Sequence, residues 1–220
     1  MHTGVLISYL YTYFFTIMFC IVFQIRFYFK AKNNISIRHF LWVYVFLFYL
    51  SLVYKVTQIA TVWDISRYET WIRVNQINLT LFDTAGSTTY LLNIVLFMPL
   101  GFLLPTIWPQ FRKMKNTVCA GFFFSLAIEL NQLLNNRITD IDDLFTNTLG
   151  AIIGYVLYKV LYTALFKLIL KRAEKKLDTN SSLVIKYEAV FCLLCSFVGA
   201  MLIYYPALLV VNQKSTNFIE

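Results

Sequence analysis

The sequence predicts an all-α integral membrane protein with six transmembrane helices. Of its 220 residues, 59% are hydrophobic and only 14% are charged, and the apolar residues gather in long runs. A soluble domain of this length carries more charge on its surface. An apolar run of about 20 residues crosses a bilayer as a helix, because a helix satisfies its own backbone hydrogen bonds. We therefore expect residues 1–220 to form a single multi-pass membrane domain.

The apolar runs follow one another along the whole chain. They cover residues 3–25, 40–59, 90–108, 117–134, about 143–165 and 183–211. The third run contains Pro99, which is expected to bend its helix because proline has no backbone N–H. Residues 61–89 are predicted to form an interfacial loop or a short re-entrant element, since aromatic residues such as Trp63 favour the headgroup region.

Lysine and arginine residues are distributed unequally between the predicted loops. Most of the 19 lie within residues 26–38, 112–115 and 167–186, which fall on the same side of the membrane. Such residues are retained on the cytoplasmic side, so both termini are predicted to be extracytoplasmic. The net charge of +8 then follows from the topology and the anionic inner leaflet. Nucleic acid is therefore not an expected partner.

The sequence predicts neither a cofactor nor a metal ion. All four cysteines fall within apolar runs, where neither a disulfide framework nor a reactive thiolate is favoured. His2 and His39 are expected near opposite faces of the membrane. Their separation argues against a histidine-based metal site or catalytic triad.

The fourth run carries polar residues with helical spacing. A helix advances about 100° per residue, so Ser125, Glu129 and Gln132 share one face. A charged side chain within a span costs at least about 2.5 kcal/mol, and we therefore expect Glu129 to be functional. Ser125 is explained equally well by hydrogen bonding between helices.

The fifth run has a similar pattern. The spacings between Asp143, Asn147, Gly150 and Gly154 return to one side of a helix. The two glycines predict a flat seam on which a neighbouring helix approaches closely. Asn147 is also consistent with hydrogen bonding between helices.

Further polar residues are expected at the same end of the bundle. Asn93 lies near the start of the third run, and Arg137 and Asp140 lie in the connection before the fifth. Together with Glu129, Asp143 and Asn147, these residues are predicted to form one pocket in the outer leaflet. The segment TDIDDL also reads as a helix start with Thr139 or Asp140 as cap, which by itself accounts for Asp142.

Three motifs carry a family resemblance. The succession LLNIVLFMPLGFLLP, SLAIELNQ and RITDIDDLFTNTLGAIIGY resembles the VanZ-like family of bacterial membrane proteins in both motif and order. The match runs from about Asn93 to Tyr155, within a motif-bearing core of about residues 72–165. The segment NLTLF departs from the family pattern, because Leu81 stands where the family commonly has proline.

The resemblance implies a multi-pass protein of the bacterial cell membrane whose named relative is linked to teicoplanin resistance. It does not imply a known reaction. The preferred hypothesis is a membrane protein that modulates susceptibility to glycopeptide antibiotics. Its outer-leaflet site would engage a lipid-linked cell-wall precursor or the lipoglycopeptide itself among the membrane lipids.

Two alternatives remain open from the sequence. In the first, the protein is an intramembrane enzyme acting on an envelope lipid or glycolipid, with Glu129 and Asp143 as acid and base, with or without a divalent cation. In the second, it is a transporter with Glu129 as a proton or substrate site. The transporter hypothesis ranks third, because few polar residues are expected deep in the other half of the bundle.

Overall fold

The fold is all-α, as the sequence predicts. It is seen in a computed structural model that describes residues 2–30, 37–64, 77–78, 86–135, 139–162, 164 and 182–202. The helices are α1 (His2–Lys30), α2 (Ile37–Thr57), α3 (Ser87–Ile107), α4 (Met114–Gln132), α5 (Ile141–Leu161) and α6 (Ser182–Met201). A 3-10 helix (Pro109–Arg112) joins α3 to α4, and two short strands, β1 (Ile77–Asn78) and β2 (Thr139–Asp140), lie outside the helices.

Three of the described helices, α2, α3 and α5, are long and apolar enough to span a membrane. Shorter apolar segments occur in α1 (Leu10–Val22) and α6 (Tyr187–Met201). α4 is more polar than its neighbours, because it carries the residues singled out above. The last predicted run extends to residue 211, of which residues 203–211 lie outside the described part. α3 continues as a helix through Pro99 and Pro105.

The predicted glycine seam is confirmed, and α3 is the helix that packs against it. A Cβ built on Gly150 would lie 2.3 Å from the carbonyl oxygen of Ile94, and one on Gly154 would lie 2.0 Å from that of Met98. Contacts therefore advance in the same direction along both helices, so α3 and α5 are parallel. Gly101 completes the seam from the α3 side, since its Cβ would overlap the backbone of Ala151.

The other half of the bundle is formed by α1, α2 and α6. Gly199 of α6 faces the backbone of Phe15 on α1. The hydroxyl groups of Tyr54 on α2 and Ser196 on α6 are 2.8 Å apart and share a hydrogen bond. Tyr49 joins the two halves, because its hydroxyl donates to the backbone oxygen of Leu96 on α3 at 2.9 Å.

The two ends of the bundle differ in chemistry. At one end, called here the cluster end, α3 and α5 begin and β1 pairs in parallel with β2, with Asn78 opposite Asp140. No strand was predicted within residues 61–89, which were expected to form an interfacial loop or a short re-entrant element, so β1 is a difference from the prediction. At the other end, called the basic end, the 3-10 helix leads into Lys113 and Lys115.

Candidate functional site

The start of α5 organises the cluster end. Asp140 is the N-cap residue, and its Oδ1 accepts a hydrogen bond of 3.0 Å from the backbone N–H of Asp142. Asp142 and Asp143 follow in the first turn, where the helix dipole favours negative charge. The predicted cap at Asp140 is confirmed.

Glu129 connects the end of α4 to this cap. Its Oε2 accepts a hydrogen bond of 3.1 Å from the backbone N–H of Asp140. The hydroxyl of Thr139 donates to the backbone oxygen of Glu129 at 3.1 Å. Glu129 is only 4% exposed, and the hydrogen bond from Asp140 provides this buried carboxylate with a donor.

Neutral donors orient the three aspartates from the opposite side. The Nδ2 of Asn78 donates to Asp140 at 3.2 Å, the hydroxyl of Tyr90 to Asp142 at 2.8 Å, and the Nδ2 of Asn93 to Asp143 at 2.6 Å. We call Glu129, Asp140, Asp142 and Asp143 the carboxylate cluster. Asp142 is fully buried, whereas Asp140 and Asp143 are partly exposed.

Two further predicted residues lie one helical turn deeper in the bundle. The Nδ2 of Asn147 donates to the hydroxyl oxygen of Ser125 at 3.0 Å, which joins α5 to α4. Both side chains are buried. The Oδ1 of Asn147 has no hydrogen-bond partner among the described residues. The deep end of the site therefore retains an acceptor.

Gln132 lies on α4 as predicted, but it contacts a different part of the bundle. Its Nε2 donates to the backbone oxygen of Thr57 at the end of α2, at 2.9 Å. It therefore belongs to the packing of α4 against α2. Arg137, the remaining predicted residue, lies outside the described residues.

The side-chain amide of Asn131, beside Gln132, was not predicted from the sequence to have a role. Asn131 holds the backbone of Ala60 with both ends of its side chain: Oδ1 accepts from the N–H at 2.6 Å, and Nδ2 donates to the oxygen at 3.2 Å. Asn78 and Tyr90 were also not assigned as donors. Tyr90 precedes Asn93 by three residues, and this spacing places both side chains on the same face of α3, from which its role could have been predicted.

Within the described ranges, no group of three or more His, Cys, Asp or Glu side chains is arranged to hold a metal ion. An ionised carboxylate has about four acceptor positions, and Asp140 and Asp143 are partly exposed.

The VanZ/LLP1 family matches residues 10–162, which is more than half of the chain. The chain belongs to the VanZ/LLP1 family. The VanZ/LLP1 match includes the whole carboxylate cluster, most of α1 and the helices from α2 to α5. Family membership together with the apolar helices makes this a membrane protein. A search of curated proteins and a search of solved structures each return no match.

Proposed function

We propose that this VanZ/LLP1 member acts at the outer face of a bacterial cell membrane and lowers susceptibility to teicoplanin-type antibiotics. Its carboxylate cluster would engage the headgroup of a lipid-linked cell-wall precursor or of the lipid-tailed antibiotic. One observation carries the proposal: Asp140 and Asp143 are each oriented by an amide from another element and remain partly exposed.

The chemistry of these carboxylates favours a particular kind of headgroup. Ionised carboxylates accept hydrogen bonds and donate none. Hydrogen bonds donated to a charged acceptor contribute about 1.5 to 3 kcal/mol, roughly twice as much as those between neutral groups. A ligand with sugar hydroxyls or an ammonium group matches such a site, and both proposed ligands carry donors of this kind.

Exposed apolar side chains flank the site and suit a lipid-linked ligand. Leu92, beside Asn93 on α3, is 63% exposed, and Phe145 on α5 is 52% exposed. In a bilayer these side chains face acyl chains, so a headgroup on Asp143 would have its tail beside them. The geometry combines a polar contact with an apolar one, as expected for a ligand anchored in lipid.

The outer-face assignment rests on the charge asymmetry. Lys113 and Lys115 are exposed at the basic end, while the carboxylate cluster lies at the opposite end of the same helices. Basic residues are retained in the cytoplasm, so the cluster end is extracytoplasmic in this proposal.

The test compares isosteric variants in cells. A teicoplanin-susceptible bacterium would express the wild type, Glu129→Gln, Asp143→Asn or the control Asp64→Asn. Asp64 caps Thr61 at the same end with two hydrogen bonds of 2.8 Å but does not belong to the cluster. We expect the wild type and the Asp64 variant to raise the inhibitory concentration, and the two cluster variants to lose this protection at equal protein levels.

A binding measurement separates the possible ligands. Purified wild-type protein and Asp143→Asn would be titrated with teicoplanin, with a glycopeptide lacking a lipid tail, and with a lipid-linked precursor. Losing a charge-assisted hydrogen bond should weaken binding of the true ligand about tenfold or more. In the test in cells, full protection by folded cluster variants would refute the assignment of the carboxylate cluster as the site. In the binding measurement, turnover of the precursor would favour the enzyme alternative.

A further inference from the structure

A second buried polar group lies at the basic end, away from the carboxylate cluster. The Oε2 of Glu188 on α6 is 2.5 Å from Nε2 of His39 on α2. The same oxygen accepts a hydrogen bond of 2.9 Å from the indole N–H of Trp108, the residue after α3. Glu188 is 3% exposed and Trp108 is fully buried. Three elements therefore meet on one carboxylate oxygen.

The register of α1 against α6 brings a fourth residue to this level. Cys20 on α1 donates to the backbone oxygen of Cys192 on α6, and Gly199 faces Phe15 nearer the cluster end. The helices are therefore antiparallel. One turn beyond Cys20 is Gln24, and one turn before Cys192 is Glu188. Gln24 is thus level with Glu188, and it is 4% exposed.

Gln24 differs from the other polar side chains along this contact. Thr16 donates to the backbone oxygen of Thr12 at 2.8 Å, and Ser196 is bonded to Tyr54. Both the Nε2 and the Oε1 of Gln24 are buried without a hydrogen-bond partner among the described residues. A buried amide with no partner is unfavourable, whereas a buried water commonly satisfies such groups.

The charges around Glu188 indicate what else the site takes. Cys192, one turn along α6, is close enough to interact with the charge of Glu188, and Cys20 on α1 and Tyr44 on α2 lie near Cys192. All three are neutral in their ordinary forms. The side chain of Glu188 is buried and that of His39 is 14% exposed. With His39 neutral, the pair carries one negative charge. One added proton makes it neutral overall, which is the favoured state for groups taken out of water.

We propose that Gln24, His39, Trp108 and Glu188 form a hydrated proton-binding site at the basic end of the bundle. A water molecule there joins the Gln24 amide to the pair, and one proton is shared by His39 and Glu188. These four residues were not predicted from the sequence to lie together.

Histidine NMR tests the proton. The chain has only two histidines, so His2→Ala leaves His39 as the sole ¹⁵N-histidine signal of the full-length protein in lipid nanodiscs. Replacing Glu188 with Gln removes the negative partner that holds the proton on the ring, and the midpoint pH of the ring should fall. Trp108→Phe removes a donor that stabilises the carboxylate and should raise the midpoint.

Opposite shifts in these two variants support the proposal, and an unchanged midpoint in both overturns it. The Trp108 variant keeps the test decisive where Glu188→Gln does not accumulate.

The water is tested by magnetisation transfer from bulk water to the ring N–H of His39. Gln24→Leu should abolish this transfer, and the control Gln110→Leu, at the surface of the 3-10 helix, should retain it. Equal transfer in both variants would overturn the hydrated site.

Discussion

Asn93 on α3 donates a hydrogen bond of 2.6 Å to Asp143 on α5, at the same end of two helices that are parallel. Further along these helices, Gly150 and Gly154 hold the backbones in contact. The glycine seam therefore sets the register in which Asn93 meets Asp143. A slip of one turn along the seam would move the donor about 5.4 Å from its acceptor.

Substitution in the glycine seam should lower stability sharply. Gly154→Ala places a methyl group 2.0 Å from the carbonyl oxygen of Met98, which is backbone and has little freedom to move. Overpacking of this kind costs about 1 to 3 kcal/mol, and Gly154→Leu should cost more. The measurement is the thermal midpoint of purified protein. Gly86→Ala is the control, because no atom of the described residues outside its chain neighbours lies within 4 Å of its added Cβ. Equal midpoints for the two alanine variants would mean that the helices do not meet there.

A double-mutant cycle should detect the link between Asn93 and Asp143. Alanine would replace each residue singly and then both together, and the free energy of unfolding would be measured in detergent. Hydrogen bonds between membrane helices contribute about 0.6 to 2 kcal/mol, and we expect coupling in this range. The cycle between Asn93 and Asp64 provides a comparison, for which we expect coupling near zero. Additive effects at Asn93 and Asp143 would contradict the contact.

The amide of Asn131 should be more important for stability than that of an exposed asparagine. Asn131→Leu leaves the buried N–H and oxygen of Ala60 without their partner, at a cost of about 1 to 3 kcal/mol for each unsatisfied group. The control is Asn116→Leu, which removes one exposed hydrogen bond to Gln110. Thermal unfolding would compare the two variants, and a smaller loss at Asn131 would show that it does not hold Ala60.

Labelling on intact cells should report the orientation. In a cysteine-free background, Gly86→Cys at the cluster end should react with an impermeant thiol reagent, whereas Lys113→Cys at the basic end should react only after lysis. Both positions are exposed, so their reactivity depends on the side of the membrane. Labelling of position 113 from outside would reverse the topology and place the carboxylate cluster in the cytoplasm.

Periodicity predicted much of the fold. The helices follow from apolar runs, the seam from the spacing of Gly150 and Gly154, and the cap from the position of Asp140 before α5. Each of these signals lies within one segment, where helix geometry alone relates the residues. For the same reason Ser125, Glu129, Asp143 and Asn147 were placed on the correct helices.

Contacts between distant segments were not predictable in this way. The pairing of β1 with β2 depends on two short segments that meet only in the folded bundle. Asn131 shares α4 with Gln132, yet nothing in its local pattern indicates that Ala60 is its partner. His39 and Glu188 are separated by 149 residues, and the sequence alone does not indicate their contact. These pairs result from the packing of helices, which periodicity does not specify.

The parallel arrangement of α3 and α5 has a consequence for biogenesis. Two parallel helices joined through α4 cannot meet until α4 has run back along the bundle and α5 has followed it. During synthesis, Gly101 on α3 therefore has no contact with Ala151 until the next two helices have been made. A chain released after α4 would leave the glycine face of α3 uncovered, with neither Asp143 nor the N-cap that orders the cluster. Completion of α5 is thus the step at which the membrane-inserted chain acquires both its tightest contact and its candidate site.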